Sequence, residues 1–436
     1  MDVEVPKPGQ WPVDPQDDEE IRKDRIWVDG CFDFTHHGHA GALRQARQLG
    51  TELYIGLHSD EEILENKGPT VMTLDERIAA CDACRWTTKV IPHAPYVTAL
   101  PWISHYGCWY VAHGDDITSD AGGEDCYRFV KAAGRFLVFK RTPGISTTDL
   151  VGRMLLCTKT HFIRSLTDEL QGRVDGVSDP TKVAAGAEML ERITDYAMDE
   201  TASKPGAEVW TWAGTRLNKP GEQEAADAGT FEKIVPGKAP KPGQRVVYVD
   251  GGFDLFSSGQ IEFLKRVNQA ENYQAYVVAG VHNDDVINHW KGLNYPIMNI
   301  FERGLCVLQC RYIHAVVFGA PFSPSRAYLE AIPMGKIAAV YHGPTTFMPS
   351  TFDPYVDTKE MGIFRQIENH PYSHVNAAEI VGRIMKGRQA FEERQRRKGE
   401  KAVGEEAVRQ REILEQKQAA LEAERRAAMD ESTKSS

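Results

Sequence analysis

The chain carries the same unit twice, and that duplication limits its folds more than any other feature. Residues 26–47, IWVDGCFDFTHHGHAGALRQAR, align without a gap on residues 247–268, VYVDGGFDLFSSGQIEFLKRVN, at an offset of 247 − 26 = 221. The correspondence continues: Lys67-Gly68 answers Lys291-Gly292, Glu76-Arg77 answers Glu302-Arg303, and Cys84-Arg85-Trp86 answers Cys310-Arg311-Tyr312. Further on, Ala94-Pro95-Tyr96 matches Ala320-Pro321-Phe322, His113-Gly114 matches His342-Gly343, and Val151-Gly152-Arg153 matches Val381-Gly382-Arg383. The offset drifts only to 381 − 151 = 230, as small loop insertions produce. A self-similar unit of about 130–140 residues is the size of one globular domain, so two copies of a single fold follow.

Within the first copy, short apolar runs at Ile26–Asp29, Leu53–Leu57, Lys89–Ile91, Trp109–Ala112 and Phe136–Lys140 read as strands. Amphipathic patterns at 38–49, 75–85, 98–106, 124–133 and 147–156 lie between them. Strands spaced by helices predict the α/β class, here two tandem Rossmann-like, doubly wound parallel sheets, with ligands at the carboxyl ends of the strands. The expected divisions are a mobile Pro- and acid-rich segment 1–24, a domain 25–160, an irregular linker 161–244 with one helix at Ala187–Met198, a second domain 245–386, and a charged helical or disordered tail 387–436.

Composition removes several function classes. With 51 Lys+Arg against 62 Asp+Glu the net charge is −11, which argues against nucleic acid as a partner. No run approaches the ~18 apolar residues of a membrane span, so no integral membrane segment is expected. The opening MDVEVPKPGQWPVDPQDDEE has neither a basic start nor an apolar stretch, so no signal peptide is expected. Eight cysteines in 436 residues are too few for a disulfide scaffold. Cys81/Cys84 and Cys306/Cys310 sit in helical patterns and are expected as buried reduced thiols in a cytoplasmic protein. The sequence leaves the oligomeric state open, a homodimer included.

The chemistry-bearing residues cluster where strands give way to helices. Gly30-Cys31-Phe32-Asp33 ends the first strand, and Thr35-His36-His37-Gly38-His39 opens the following helix. Free N–H groups and the positive end of the helix dipole there suit a phosphate. His36 and His39 lie on one face of the first turn, while Gly30 and Gly38 allow close backbone approach. The simpler reading of a lone pair of such histidines is surface polarity, and the HxGH spacing on a strand–turn–helix argues against it. Lys67, in an expected loop Asn66-Lys67-Gly68-Pro69, is a further phosphate contact or else a solvated lysine. Arg141 precedes Ser146, Thr147 and Thr148 at a helix start, an arrangement that suits a di- or triphosphate, although any of the hydroxyls also serves as a helix cap. His113, Asp115 and Asp116 follow the fourth strand, where a base or ribose would lie.

GCFDFTHHGH, the lysine loop and KRTPGISTTD together resemble the cytidylyltransferase family of the HxGH nucleotidylyltransferases. The likeness covers nearly all of 25–160 and 245–386, and the tandem arrangement is similar to members acting on phosphoethanolamine. It implies CMP transfer from CTP to phosphoethanolamine with release of pyrophosphate, in the synthesis of phosphatidylethanolamine. It implies that His36, His39, Lys67 and Arg141 stabilise the reacting phosphates. Gly30, Cys31, Phe32, Asp33, Gly38, His113, Asp115, Asp116, Ser146, Thr147 and Thr148 would bind CTP. Asp60, Tyr96 and Tyr127, with Lys67, would hold phosphoethanolamine, though Asp60 also reads as a helix cap. Mg²⁺ is expected on the triphosphate, held mainly by phosphate oxygens.

The second copy departs from this pattern. The histidine positions are Ser257 and Gln260, Asn369 replaces Arg141, and Asn376-Ala377-Ala378 replaces Ser146-Thr147-Thr148. Catalysis is therefore expected from the first copy alone. The competing readings are the same transfer to phosphocholine or another phosphorylated alcohol, and a nucleotide-binding regulator without turnover.

Overall fold

Burial on both faces explains the apolar run Ile26-Trp27-Val28 in the middle of β1 (Arg22–Gly30), whose flanking residues are charged: all three side chains are buried. With β2 (Glu52–Leu57), β3 (Lys89–Pro92), β4 (Cys108–Gly114) and β5 (Phe136–Phe139) it forms a parallel sheet in the order β3-β2-β1-β4-β5. The chain moves outward from β1 to β3 and then crosses to β4, so the switch point lies between β1 and β4. Helices α1 (His37–Gln48), α2 (Asp60–Lys67), α3 (Leu74–Asp82), α4 (Leu100–His105), α5 (Arg128–Ala132) and α6 (Thr147–Leu156) connect and follow these strands. The computed structural model describes residues 18–116, 118–174, 176–214, 229–344, 352–394 and 396.

The segment 161–244 is more than an irregular linker. It forms α7 (Leu166–Leu170), a small hairpin of β6 (Arg173–Val174) and β7 (Val177–Ser178), α8 (Val183–Tyr196), β8 (Glu208–Ala213) and β9 (Thr230–Val235). Strand β8 pairs in parallel with β12 (Ala315–Phe318) of the second copy, and β9 pairs antiparallel outside it. The reason is edge protection: β12 is buried along its whole length and would otherwise end the sheet with unpaired backbone groups. The other strands of the second sheet are β10 (Val246–Gly251), β11 (Tyr276–Val281), β13 (Ile337–His342) and β14 (Phe364–Gln366). Its full order is β14-β13-β10-β11-β12-β8-β9, seven strands in which the first five repeat the first sheet. Helices α9 (Ser258–Ala270), α10 (Asp284–Lys291), α11 (Ile300–Leu308), α12 (Arg326–Ala331), α13 (Val356–Glu360) and α14 (Ala377–Lys386) complete the unit.

The ends of the chain also differ from expectation. Of the segment 1–24, residues 1–17 lie outside the described residues, while 18–24 are tied down. Glu19 pairs with Arg25 and Lys89, and Asp18 with His105. Most of the tail from 387 lies outside the described residues, yet its start is packed: Phe391 is 5% exposed and Arg394 reaches the carbonyl of Pro69. All eight cysteines are free; Cys31 is half-buried and Cys157 exposed, and the other six are buried. No helix of the described residues is long and apolar enough to cross a membrane.

The two copies pack through paired, reciprocal contacts. Cys84 and Cys310 face each other in an antiparallel bridge, flanked by Arg85 N–H to Gln309 C=O at 2.8 Å and Arg311 N–H to Ala83 C=O at 2.9 Å. Arg153 on α6 forks onto Glu302 on α11 at 2.7 and 2.8 Å, and its counterpart Arg383 on α14 forks onto Glu76 on α3 at 2.7 and 2.9 Å. One continuous apolar cluster runs through both copies, from Leu43 and Ile55 to Val277 and Leu305.

Candidate active site

After β1 the backbone enters a tight left-handed turn, with φ of 54° at Phe32, 65° at Phe34 and 42° at Thr35. His36 then returns to extended backbone and caps α1, its Nδ1 accepting from Gly38 N–H at 3.1 Å. An accepting Nδ1 puts the proton of a neutral imidazole on Nε2, so His36 presents a donor on its other side. His39 follows one turn later, and the two rings stack with centroids 4.0 Å apart and planes at 19°. Only glycine fits at 38, because a Cβ would lie 2.7 Å from Ile145 Cγ2 and 2.9 Å from the His36 ring. Ile145 belongs to the RTPGISTT segment, so the two sequence motifs touch. Behind α1, the Tyr196 hydroxyl of α8 donates to the carbonyl of His37, and Gly41 leaves room for it. The segment expected as linker thus buttresses the histidine turn.

Facing this turn, Arg141 N–H donates to Asp115 Oδ1 at 3.1 Å, and its guanidinium lies 3.3 Å from Asp116. Ser146 caps α6, accepting from Asp149 N–H at 3.1 Å and donating to the Asp149 carboxylate at 2.7 Å. Thr147 and Thr148 occupy the first turn of α6. His113 packs on Tyr127 with ring centroids 4.6 Å apart, and burial holds its imidazole below the usual range.

A second focus, missed in the sequence, is Asp29 at the carboxyl end of β1. It is 5% exposed; its Oδ1 accepts from Tyr127 Oη at 2.7 Å, and its Oδ2 accepts from Trp27 Nε1 at 2.9 Å and Thr98 Oγ1 at 2.6 Å. Beside it, His58 is bound to the Ala94 carbonyl at 3.0 Å and packs on Tyr96 at 5.0 Å; burial holds its pKa below the ordinary value. Lys67 Nζ sits 5.6 Å from the centroid of Tyr96. Lys67 is the last residue of α2 rather than part of a loop, with Gly68 following at φ 93°.

Two expected ligand contacts have other employment. Asp33 is 2% exposed and accepts from Val71 and Met72 N–H, both at 2.9 Å, which ties the histidine turn to the loop before α3. Asp60 accepts from the fully buried Arg77 at 2.6 Å and from Leu74 N–H at 3.1 Å, and the cap of α2 is its neighbour Ser59. The second copy decides what these contacts are for. Asp254 accepts from Ile297 and Met298 N–H at 2.8 and 2.9 Å, and Arg303 pairs with Asp284 at 2.7 Å. Contacts kept where the histidines are gone belong to the fold. Cys31 likewise contributes its carbonyl to Arg77 at 2.8 Å, while burial raises its thiol pKa. The signal for Asp29 was its position as the last acidic residue of the strand at the switch point.

Residues 27–153 match the cytidylyltransferase-like family. The ethanolamine-phosphate cytidylyltransferase of Mus musculus is 40% identical over 396 residues, covering 89% of this chain and 92% of its own length. That of Dictyostelium discoideum is 39% identical over 385 residues, covering 87% and 95%. Choline-phosphate cytidylyltransferase A of Rattus norvegicus is 40% identical over 144 residues, only 33% of this chain and 39% of its own. The likeness to the first two runs through both copies of the repeat and the segment between them, and the chain belongs to the ethanolamine-phosphate cytidylyltransferase family.

Proposed function

We propose that the first copy transfers CMP from CTP to phosphoethanolamine, giving CDP-ethanolamine and pyrophosphate. The observation that carries this reading is the stacked His36–His39 pair at the mouth of α1, with Nε2–H of His36 as donor. A phosphate oxygen of phosphoethanolamine attacks the α-phosphorus of CTP in line. The new P–O bond forms as the bond to the β-phosphate oxygen breaks, and that oxygen leaves with pyrophosphate. Charge accumulating on the α-phosphate oxygens is met by groups already in place: His36, His39 and the positive end of the α1 dipole. Arg141 and the hydroxyls opening α6 receive the departing phosphates, and Lys67 lies between them and the acceptor substrate. The protein contributes alignment and charge stabilisation, with no covalent intermediate.

The amine end is assigned to Asp29 rather than Asp60. Asp29 sits among Tyr96, Tyr127 and His58, a buried carboxylate with aromatic walls that suits an ammonium able to donate hydrogen bonds. Among the described residues no three carboxylate, histidine or cysteine side chains converge as a metal set. Mg²⁺ is assigned as the counter-ion of the nucleotide, held mainly by phosphate oxygens, so the substrate is MgCTP.

The second copy is assigned no turnover. Gln260, where His39 stands in the first, accepts from Ser257 N–H at 3.0 Å and closes a capping box, so the site has become a helix terminus. The test is pyrophosphate release with MgCTP and, side by side, phosphoethanolamine, phosphocholine and glycerol phosphate. Preference for phosphoethanolamine is expected; release with phosphocholine alone would overturn the substrate assignment, and release with none would overturn the reaction.

A further inference from the structure

The arginine and cysteine contacts between the copies come in reciprocal pairs, and one contact that does not reaches the histidine turn. Gln309, at the end of α11 and 3% exposed, donates from Nε2 to the carbonyl of Thr35 at 3.1 Å. The peptide group whose oxygen it holds is the one whose nitrogen belongs to His36. Its counterpart in the first copy, at the offset of 310 − 84 = 226 set by the facing cysteines, is Ala83, which has no donor to return.

The backbone shows a matching asymmetry. Both copies have the left-handed residues that open the turn, Phe32 and Phe34 in the first and Phe253 and Leu255 in the second. The first copy adds a third, Thr35 at φ 42°, whereas its counterpart Phe256 (35 + 221) is not left-handed. A β-branched residue in that region is strained, and such strain persists only where surrounding contacts impose it. Within its own copy Thr35 is held by N–H and Oγ1 donation to the Phe32 carbonyl at 3.1 and 3.0 Å. The outside hold on its carbonyl comes from Gln309. Arg383 also touches this region, donating to Val71 C=O at 3.2 Å, but Arg153 makes the same contact to Ile297 C=O at 3.1 Å, so that link is common to both copies. Strained residue and donor occur together only on the side that keeps His36 and His39.

We propose that Gln309, supplied by the catalytically silent copy, is a positioning residue for the active one: it fixes the Thr35–His36 peptide plane and thereby the direction of the His36 ring. The inference rests on the reading of the first copy as the site of CMP transfer, and it gives the second copy a task in the reaction without a reaction of its own.

The experiment is steady-state kinetics of the full chain with MgCTP and phosphoethanolamine for Gln309→Met, which keeps the volume and removes the donor. Gln309→Ala, the residue the fold already accepts at the counterpart position, serves alongside. Both are expected to lower kcat about tenfold, the size of one lost hydrogen bond, with KM for both substrates within twofold and the melting temperature little changed. Ala83→Gln, adding the amide on the other side, is expected to leave kcat unchanged. Parental kcat in Gln309→Met and Gln309→Ala would overturn the proposal, as would losses in which kcat falls only in step with the folded fraction. An inactive parent would instead overturn the functional reading on which it rests.

Discussion

Three aspartates show how one side chain acquires different work from its neighbours. Asp29 has three side-chain donors around it, Asp60 is neutralised by Arg77, and Asp250, the counterpart of Asp29, accepts from the Tyr355 hydroxyl at 2.7 Å. Asp29→Asn is therefore expected to raise KM for phosphoethanolamine at least about tenfold while KM for CTP holds, since one charged partner of the ammonium is lost. Asp60→Asn should leave both KM values near parental and lower stability on the order of 2 kcal/mol, less than a wholly buried pair because Asp60 is partly exposed; thermal melts and kinetics on the same samples separate the two. For Asp250, Trp27 and Thr98 have become Tyr248 and Pro324, and burial pushes its carboxyl up to about 7. A raised acid binds a proton in the folded state that the unfolded chain has released, so stability is full near pH 4 and falls as pH rises towards 7. Asp250→Asn should thus raise the melting temperature at pH 8, with a gain that vanishes near pH 4. The sequence displayed both aspartate positions in both copies, Asp29 with Asp250 and Asp60 with Asp284. What it did not display was which one faces Arg77, because that pairing is made between α2 and α3 in space and has no local spacing rule.

Strand–turn–helix elements were the most legible part of the chain, because a buried parallel strand followed by an amphipathic helix has a strong periodic signal. The strands at Ile26, Leu53, Lys89, Trp109 and Phe136 all appear in the sheet. Helix α2 was legible only as the helix cap read at Asp60, and its end at Lys67 was read as loop, because acidic residues fill its first turn and its only buried residue is Ile63, leaving no apolar stripe to read. Strand β8 escaped for a different reason: its partner β12 lies far along the chain, and Pro-Gly pairs on either side mark a loop. At the same scale, α1 and α9 start from aligned sequences yet end their first turns differently, in stacked imidazoles and in a Ser257–Gln260 cap. His39→Ala is expected to lower kcat by at least about two orders of magnitude, the cost of one transition-state donor. Gln260→Ala should lower stability by about 1 kcal/mol, as a lost cap does, with kcat within twofold. Equal kinetic damage from both would mean that α9 still binds a reacting phosphate.

At the scale of the whole molecule, duplication has turned what would be a surface into an interior. Each copy offers the other its Arg-Trp/Tyr turn after α3 or α11 and the arginine of its last helix. The glutamates they grip, Glu76 and Glu302, are also the third residues of capping boxes, so each fork fixes the start of a helix in the opposite copy. Apolar contact is continuous through the same region. Chains with two domains commonly unfold in steps, because domain interfaces are small and polar beside domain cores. Here the arginine forks are mostly buried and the core does not stop at the boundary, so removing either copy would expose apolar surface of the other. The expected result is one cooperative thermal transition for the full chain, with calorimetric and van't Hoff enthalpies in agreement. Arg383→Met, which leaves Glu76 buried without its cation, should lower the midpoint of that single transition rather than split it. Two resolved transitions in the parent would show that the copies hold themselves together separately, and that the interface contributes orientation without shared stability.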